Sequence, residues 1–183
     1  MGNLALIENA PPYGDIALFA TESTADTGSV INGPRNLAIV RVNRGDNSLD
    51  PNLSDTLTVV SDGTQYTNRL RWLTSYTAVA NLHAERPKLV GIGNDQYIAL
   101  WEEWRYTGSY ADTFNGVYAM RIDAQGNALQ GPTLITNARH LHRGDDAFVL
   151  DGRAAWMTGN AAGKKLYLHL VDAALGYQVV VLD

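Results

Sequence analysis

Residues 116–129 read GVYAMRIDAQGNAL, and this phrase decides the fold because it occurs in three versions. Residues 36–49 read NLAIVRVNRGDNSL, and residues 165–177 read KLYLHLVDAALGY. In that register Leu37, Val117 and Leu166 align, as do Val42, Ile122 and Val171, followed by Asn43, Asp123 and Asp172. A second phrase precedes each copy: IALF at 16–19, IALW at 98–101 and RAAW at 153–156. Two linked phrases recurring in one order indicate stacked structural units.

Within a unit the pattern is that of short strands. In the second copy PKLVGI (87–92), YIALWEE (97–103), VYAMRID (117–123) and LQGPTLIT (129–136) are rich in β-branched and aromatic residues, and Gly, Asn and Asp fill the gaps. The turn DAQGN offers Gly126 for a positive φ, and NRGDN is its counterpart in the first copy. Residues 68–83 suit a helix and a strand about equally and are read here as strand or irregular structure.

A repeated unit of four antiparallel strands, about 50 residues long, is the blade of a β-propeller, in which sheets pack face to face around an axis. The chain resembles bacterial β-propeller repeats with a Pro-apolar first strand, an aromatic-ended second strand such as IALWEEW and a third strand ending in RIDAQGNAL. The signatures of WD40, kelch and Asp-box repeats are absent. The expected fold is therefore all-β and propeller-like, a single repeat domain over 1–183: one blade over about 1–60, an insertion at 61–85, a second blade over 86–136 and a third over 137–183. The insertion accounts for the first two copies standing about 30 residues further apart than the second and third. Trp101, Trp156 and Phe19 are expected at equivalent places on second strands, with Ile122 and Val171 in the core. Three blades are fewer than the four to eight that close a propeller. Completion by a second copy, giving a homodimeric ring of six, and completion by the rest of a larger propeller are both open; a fourth, degenerate blade from the insertion is a third option.

Composition bounds the function. The 183 residues are 45% hydrophobic and 18% charged, ordinary for a globular domain. A net charge of −5 with scattered Lys and Arg argues against nucleic acid, and no apolar run is long enough to cross a bilayer. The first residues lack the pattern of a signal peptide. Absence of cysteine excludes disulfides and thiolate metal sites; compartment stays open, leaning to an exported or cell-surface protein.

In a propeller the loops from second to third strands and from blade to blade share the channel face, where function concentrates. HAER (His83, Glu85, Arg86) and HLHR (His140, His142, Arg143) align by type and offer imidazole, carboxylate and guanidinium to a ligand or a metal; the plain alternative is solvated loop residues inherited through the repeat. Trp104, Arg105, Tyr106 and Tyr110, with Asp112, suit sugar stacking or anchoring of a protein partner, against a loop folded onto its own blade. His169, inside a strand, reads as a packed residue. Two RGD triplets, at 44–46 and 143–145, read as turn residues rather than adhesion motifs. Asp46, Asp50 and Asp55 match no calcium loop.

The function expected is a non-catalytic binding or scaffold module presenting channel-face loops to a glycan or protein, with no cofactor. The alternative is a propeller glycoside hydrolase or lyase. It requires two of Asp26, Glu85, Glu102, Asp112, Asp145 and Asp146 to converge at roughly 5 to 10 Å. Glu102 and Glu103, adjacent on one strand, face opposite sides and cannot form that pair.

Overall fold

The computed structural model describes residues 2–6, 12–22, 34–61, 63–77, 80–105, 113–160 and 162–182, and every regular element among them is a β-strand. The described residues make three antiparallel sheets. The first contains β1 (Gly2–Leu6), β2 (Asp15–Glu22) and β3 (Arg35–Val42), then β5 (Thr64–Trp72) and, outermost, β4 (Asp55–Ser61). The second runs β6 (Leu82–Gly93), β7 (Gln96–Arg105), β8 (Thr113–Asp123) and β9 (Ala128–Thr136). The third runs β10 (Phe148–Leu150), β11 (Arg153–Asn160), β12 (Lys165–Val171) and β13 (Tyr177–Leu182). Phe19, Trp101 and Trp156 lie at equivalent places on β2, β7 and β11, as the repeat requires.

The second sheet is the middle layer, and strand alternation divides its residues between two cores. Tyr97, Ala99, Trp101, Met120 and Ile122 pack on Ile16, Leu18, Leu37 and Ile39 of the first sheet. Ile98, Leu100, Val117 and Ala119 pack on Ala154, Trp156, Val171 and Leu175 of the third. The repeat register carries straight into packing: Ile16 and Leu18 face the second sheet as Ile98 and Leu100 face the third. Strand β6 lies against both β1 and β10, so the first strands of the three sheets adjoin one another at the inner edge. The stack is propeller-like and does not close.

The first sheet departs from the expected four strands, and its pairing shows where the added length goes. Leu49 bridges Val42 and Asp50 N donates to Arg41 O, the start of a fourth strand. The chain then leaves as the β4–β5 hairpin and returns, so that Arg71 pairs with Ile39, Trp72 with Ala38, and Leu73 N donates to Leu37 O. The insertion is thus a hairpin placed within the fourth strand. It extends the first sheet outward, and residues 82–85 of the stretch expected to be inserted belong to β6.

The aligned Asn and Asp residues have one job. Asp123 Oδ1 accepts from the backbone N–H groups of Gln125 and Asn127, Asp172 Oδ1 from those of Ala174 and Gly176, and Asn43 Oδ1 from that of Gly45. A short acceptor at this position closes the turn between third and fourth strands, which is why it recurs.

Candidate functional site

At one end of the stack, side chains from the first two sheets converge with the segment that enters the third. Strand β6 carries a bulge between Glu85 and Lys88, with Arg86 at φ +50°. A bulge re-aims the side chain it holds, and here Arg86 Nη1 donates to Glu102 Oε1 at 3.0 Å and to Leu141 O at 3.1 Å. Proline at 87 has no N–H to place in the ladder at that point.

Glu102 is the hub. It is 0% exposed, and a buried carboxylate is tolerated only when its oxygens are filled. Oε1 accepts from Arg86 and, at 2.7 Å, from the Leu141 backbone N–H; His140 Nδ1 lies 3.4 Å away. Oε2 accepts from Trp104 Nε1 at 2.7 Å. The Trp104 ring stacks on His140 at 5.7 Å and lies under the Arg86 guanidinium at 6.0 Å, while Phe114 meets His140 at 4.0 Å. One carboxylate therefore ties the second sheet to the segment entering the third.

Glu85 is the Cα partner of Glu102 across β6 and β7, but its carboxylate goes elsewhere, to Arg35 of the first sheet. Burial pushes its pKa up, and Arg35, Arg143 and Arg86 push it back down. His83 Nδ1 accepts from the Arg35 backbone N–H at 3.4 Å. Two carboxylates opposed on neighbouring strands thus part, Glu85 to Arg35 of the first sheet and Glu102 to Arg86 of its own sheet and the segment entering the third.

Most of the expected site residues meet here: His83, Glu85, Arg86, Trp104 and His140, with Arg143 close enough to act on Glu85 electrostatically. His142 does not join them. Its Nδ1 accepts from the N–H groups of Gly144 and Asp145, closing its own loop. Arg105 is exposed at the end of β7. Tyr106 and Tyr110, with Asp26 and Asp112, lie outside the described residues.

Elsewhere the candidate groups are committed to local structure. In the first RGD triplet Arg44 binds Asp15 and Gly14 O, and Asp46 accepts from Ser48 N; the Ser48 hydroxyl first, and then that N–H, depress its pKa. Asp50 pairs with Arg41, and Asp55 accepts from Trp72 N. His169 is 0% exposed, bonded to Thr158 Oγ1 and Tyr177 Oη at 2.8 Å each, and stacked on Trp156. Burial first, and then the Arg139 charge, lower its pKa to about 4. Among the described residues no group of three His, Asp or Glu side chains is placed to hold a metal ion.

Sequence reasoning set aside Glu102 except as a candidate acid, and did not consider Arg35, Phe114 or Lys88. Lys88 is buried and donates to Asp145 O, holding the loop before β10. A lysine beside an apolar run and a backbone N–H acceptor pair carry no motif; only the charged residue on the inward face of β7, at the place held by Met157 in β11, was available as a signal. No known protein-family model, curated protein or solved structure matches this chain.

Proposed function

We propose that the chain is a non-catalytic binding and scaffold module built from propeller repeats of the bacterial type, closed into a six-bladed ring by a second copy. The observation that carries the binding reading is the state of Glu102. Both its oxygens are held, Oε1 by Arg86 and the Leu141 N–H with His140 beside it and Oε2 by Trp104, which supports reading the best-buried acid of the cluster as a structural tie. Of the two partner classes expected, a protein fits better than a glycan. Trp104, the ring expected to stack on sugar, is engaged by His140 and Arg86 within the cluster. What the rim presents to solvent is charged groups of both signs: Arg105, His140, His142 and Arg143 are exposed, with Asp145 and Asp146 beside them. A peptide-display selection on the immobilised protein tests this. A defined family of peptides should be enriched and should lose binding to an Arg105→Glu, Arg143→Glu variant. Turnover of chromogenic glycosides that vanishes in Glu85→Gln would overturn it in favour of the hydrolase, for which the raised pKa of Glu85 is the supporting observation.

The association reading rests on the two outer faces. Met157, Leu166 and Leu182 are 47%, 51% and 39% exposed on the outer face of the third sheet. By register they are the counterparts of the residues that the first and second sheets turn inward, since Leu166 matches Leu37 and Val117. Ala17, Phe19 and Val40 on the other outer face match Ala99, Trp101 and Met120. The open faces are therefore the two halves of an interface the chain already makes twice, and two-fold symmetry lets each copy supply both. Light scattering should give about twice 19.9 kDa, and Leu166→Asp should return the monomer. A monodisperse monomer at micromolar concentration would defeat ring closure by a second copy.

A further inference from the structure

Away from the channel mouth, where the inserted hairpin leaves and rejoins the first sheet, a cavity of about 240 Å³ opens against the turn between β8 and β9. Both roots of the hairpin line it, through Asp50, Asn52 and Leu53 on one side and Arg71 on the other; Gln125 comes from the turn and Arg41 from β3. The same junction one sheet further on is filled by the chain itself. Leu175, at the position of Gly126, is 5% exposed, and Gln130 donates to Ala174 O. The cavity is thus a product of the insertion and of a glycine in the turn.

Its chemistry is specific. Arg41 is neutralised by Asp50 through a 2.8 Å ion pair whose side chains are 11% and 2% exposed, and its Nε is buried without a hydrogen-bond partner. Arg71 donates to Ser54 Oγ and to Asn127 Oδ1, both neutral acceptors, and pairs with no carboxylate among the described residues. The lining therefore keeps one uncompensated positive charge, on a chain whose net charge is −5. Two of the roughly five N–H groups of the guanidinium are used, leaving the fork able to take a carboxylate. Asn52 and Gln125 bring exposed carboxamides that no group among the described residues engages, and Leu53 is a buried apolar wall. The volume lies below the roughly 300 to 1,000 Å³ of pockets for drug-sized ligands, which limits an occupant to about one ring.

We propose that this cavity binds a small hydroxylated carboxylate, with the carboxylate on Arg71, hydroxyl groups on Asn52 and Gln125, and a carbon face on Leu53. Such a group is found both in free sugar acids and in uronic-acid residues of glycans. Titration calorimetry of the full chain with glucuronate, with a short oligouronide and with glucose distinguishes them. Glucuronate should bind saturably and glucose, which carries a hydroxymethyl group in place of the carboxylate, should not. Tighter binding of the oligouronide than of glucuronate assigns the site to a glycan, and equal or weaker binding assigns it to the free acid. Arg71→Gln should weaken binding at least tenfold, and Gln125→Ala, which removes an exposed side chain without a partner among the described residues, should weaken it several-fold in a fold unchanged by circular dichroism. Absence of glucuronate binding at millimolar concentration, equal binding of glucose, or a Gln125→Ala variant with unchanged affinity would each overturn the assignment.

Discussion

The two junctions between sheets use one apolar design and two different sets of polar ties. On the apolar side Ile16, Leu18, Leu37 and Ile39 do at the first junction what Ile98, Leu100, Val117 and Ala119 do at the second, residue for residue. The polar ties are unrelated. The first junction is held by the half-buried pair Arg35–Glu85 and by Tyr76, whose Oη donates to Glu103 and accepts from Trp101 Nε1. Burial raises the Tyr76 pKa well above the ordinary phenol value, so it remains a donor throughout the physiological range. The second junction is held by the buried Glu102 hub, and there Trp156 Nε1 is buried without a partner while its ring stacks on His169. Repetition therefore sets which faces meet, and single substitutions at the ends of strands set how firmly each junction is held.

The largest expected effect separates the two junctions. Glu102→Ala strips three donors of this acceptor and leaves Arg86 facing a buried gap, a loss of about 3 to 5 kcal/mol in urea unfolding. Glu85→Ala breaks a pair whose side chains are 32% and 25% exposed and should cost no more than about 1 kcal/mol. Equal losses would mean that both junctions are tied alike.

Next in size is the apolar design itself. Ile122 is 0% exposed and belongs to the first junction, so Ile122→Ala should cost about 2 to 4 kcal/mol. Its counterpart Val171, also 0% exposed in the second junction, should lose less on truncation to Ala because fewer methyl groups go. Two unchanged midpoints would mean that the third strands are not the core of the stack.

That symmetry also explains what was legible beforehand. The sheets, their rank and their inward faces follow from apolar positions that recur in register, because a packed face constrains every member of a strand at a period of two. The hairpin inside the first sheet was misplaced because strand-like residues on either side of Asp62 look the same whether they lie in a fourth strand or in an insertion to it. At the Glu102 cluster the His, Glu and Arg types were visible, but their pairing was not. Glu102 closes on the backbone N–H of Leu141, a group every residue but proline has, and Arg86 reaches it only through a bulge.

A smaller effect, specific to the second junction, depends on pH. His169 occupies the position of Met120, and its pKa is lowered to about 4 by burial and by Arg139. Between its ordinary value near 6.5 and about 4 the unfolded chain binds a proton that the folded chain does not. Stability contributed by the neutral ring is therefore full above about pH 6.5 and is lost as pH falls towards 4. Between about pH 7.5 and 4.5 the loss should be roughly 2 to 3 kcal/mol. His169→Met, which installs the residue of the second sheet, should remove that part of the slope; an unchanged pH profile would place the titration elsewhere.

The smallest difference tests the turns that follow the third strands. Gly126 at φ +77° and Leu175 at φ +61° share one left-handed position, free for glycine and costing leucine about 1 to 2 kcal/mol. Leucine is tolerated because its side chain is 5% exposed in the second core, where Gly131 leaves room for it; burial of that kind is worth about 1.5 to 3 kcal/mol. Glycine is required in the first turn, since a Cβ at 126 would stand 2.6 Å from Ile39 Cδ1 and 2.9 Å from Arg71 Cγ. Leu175→Gly relieves the backbone but empties the plug, and the two terms leave a net loss of about 1 kcal/mol. A thermal melt in which Leu175→Gly matches or exceeds the parent would show that the second junction, like the first, does not depend on a side chain from its turn.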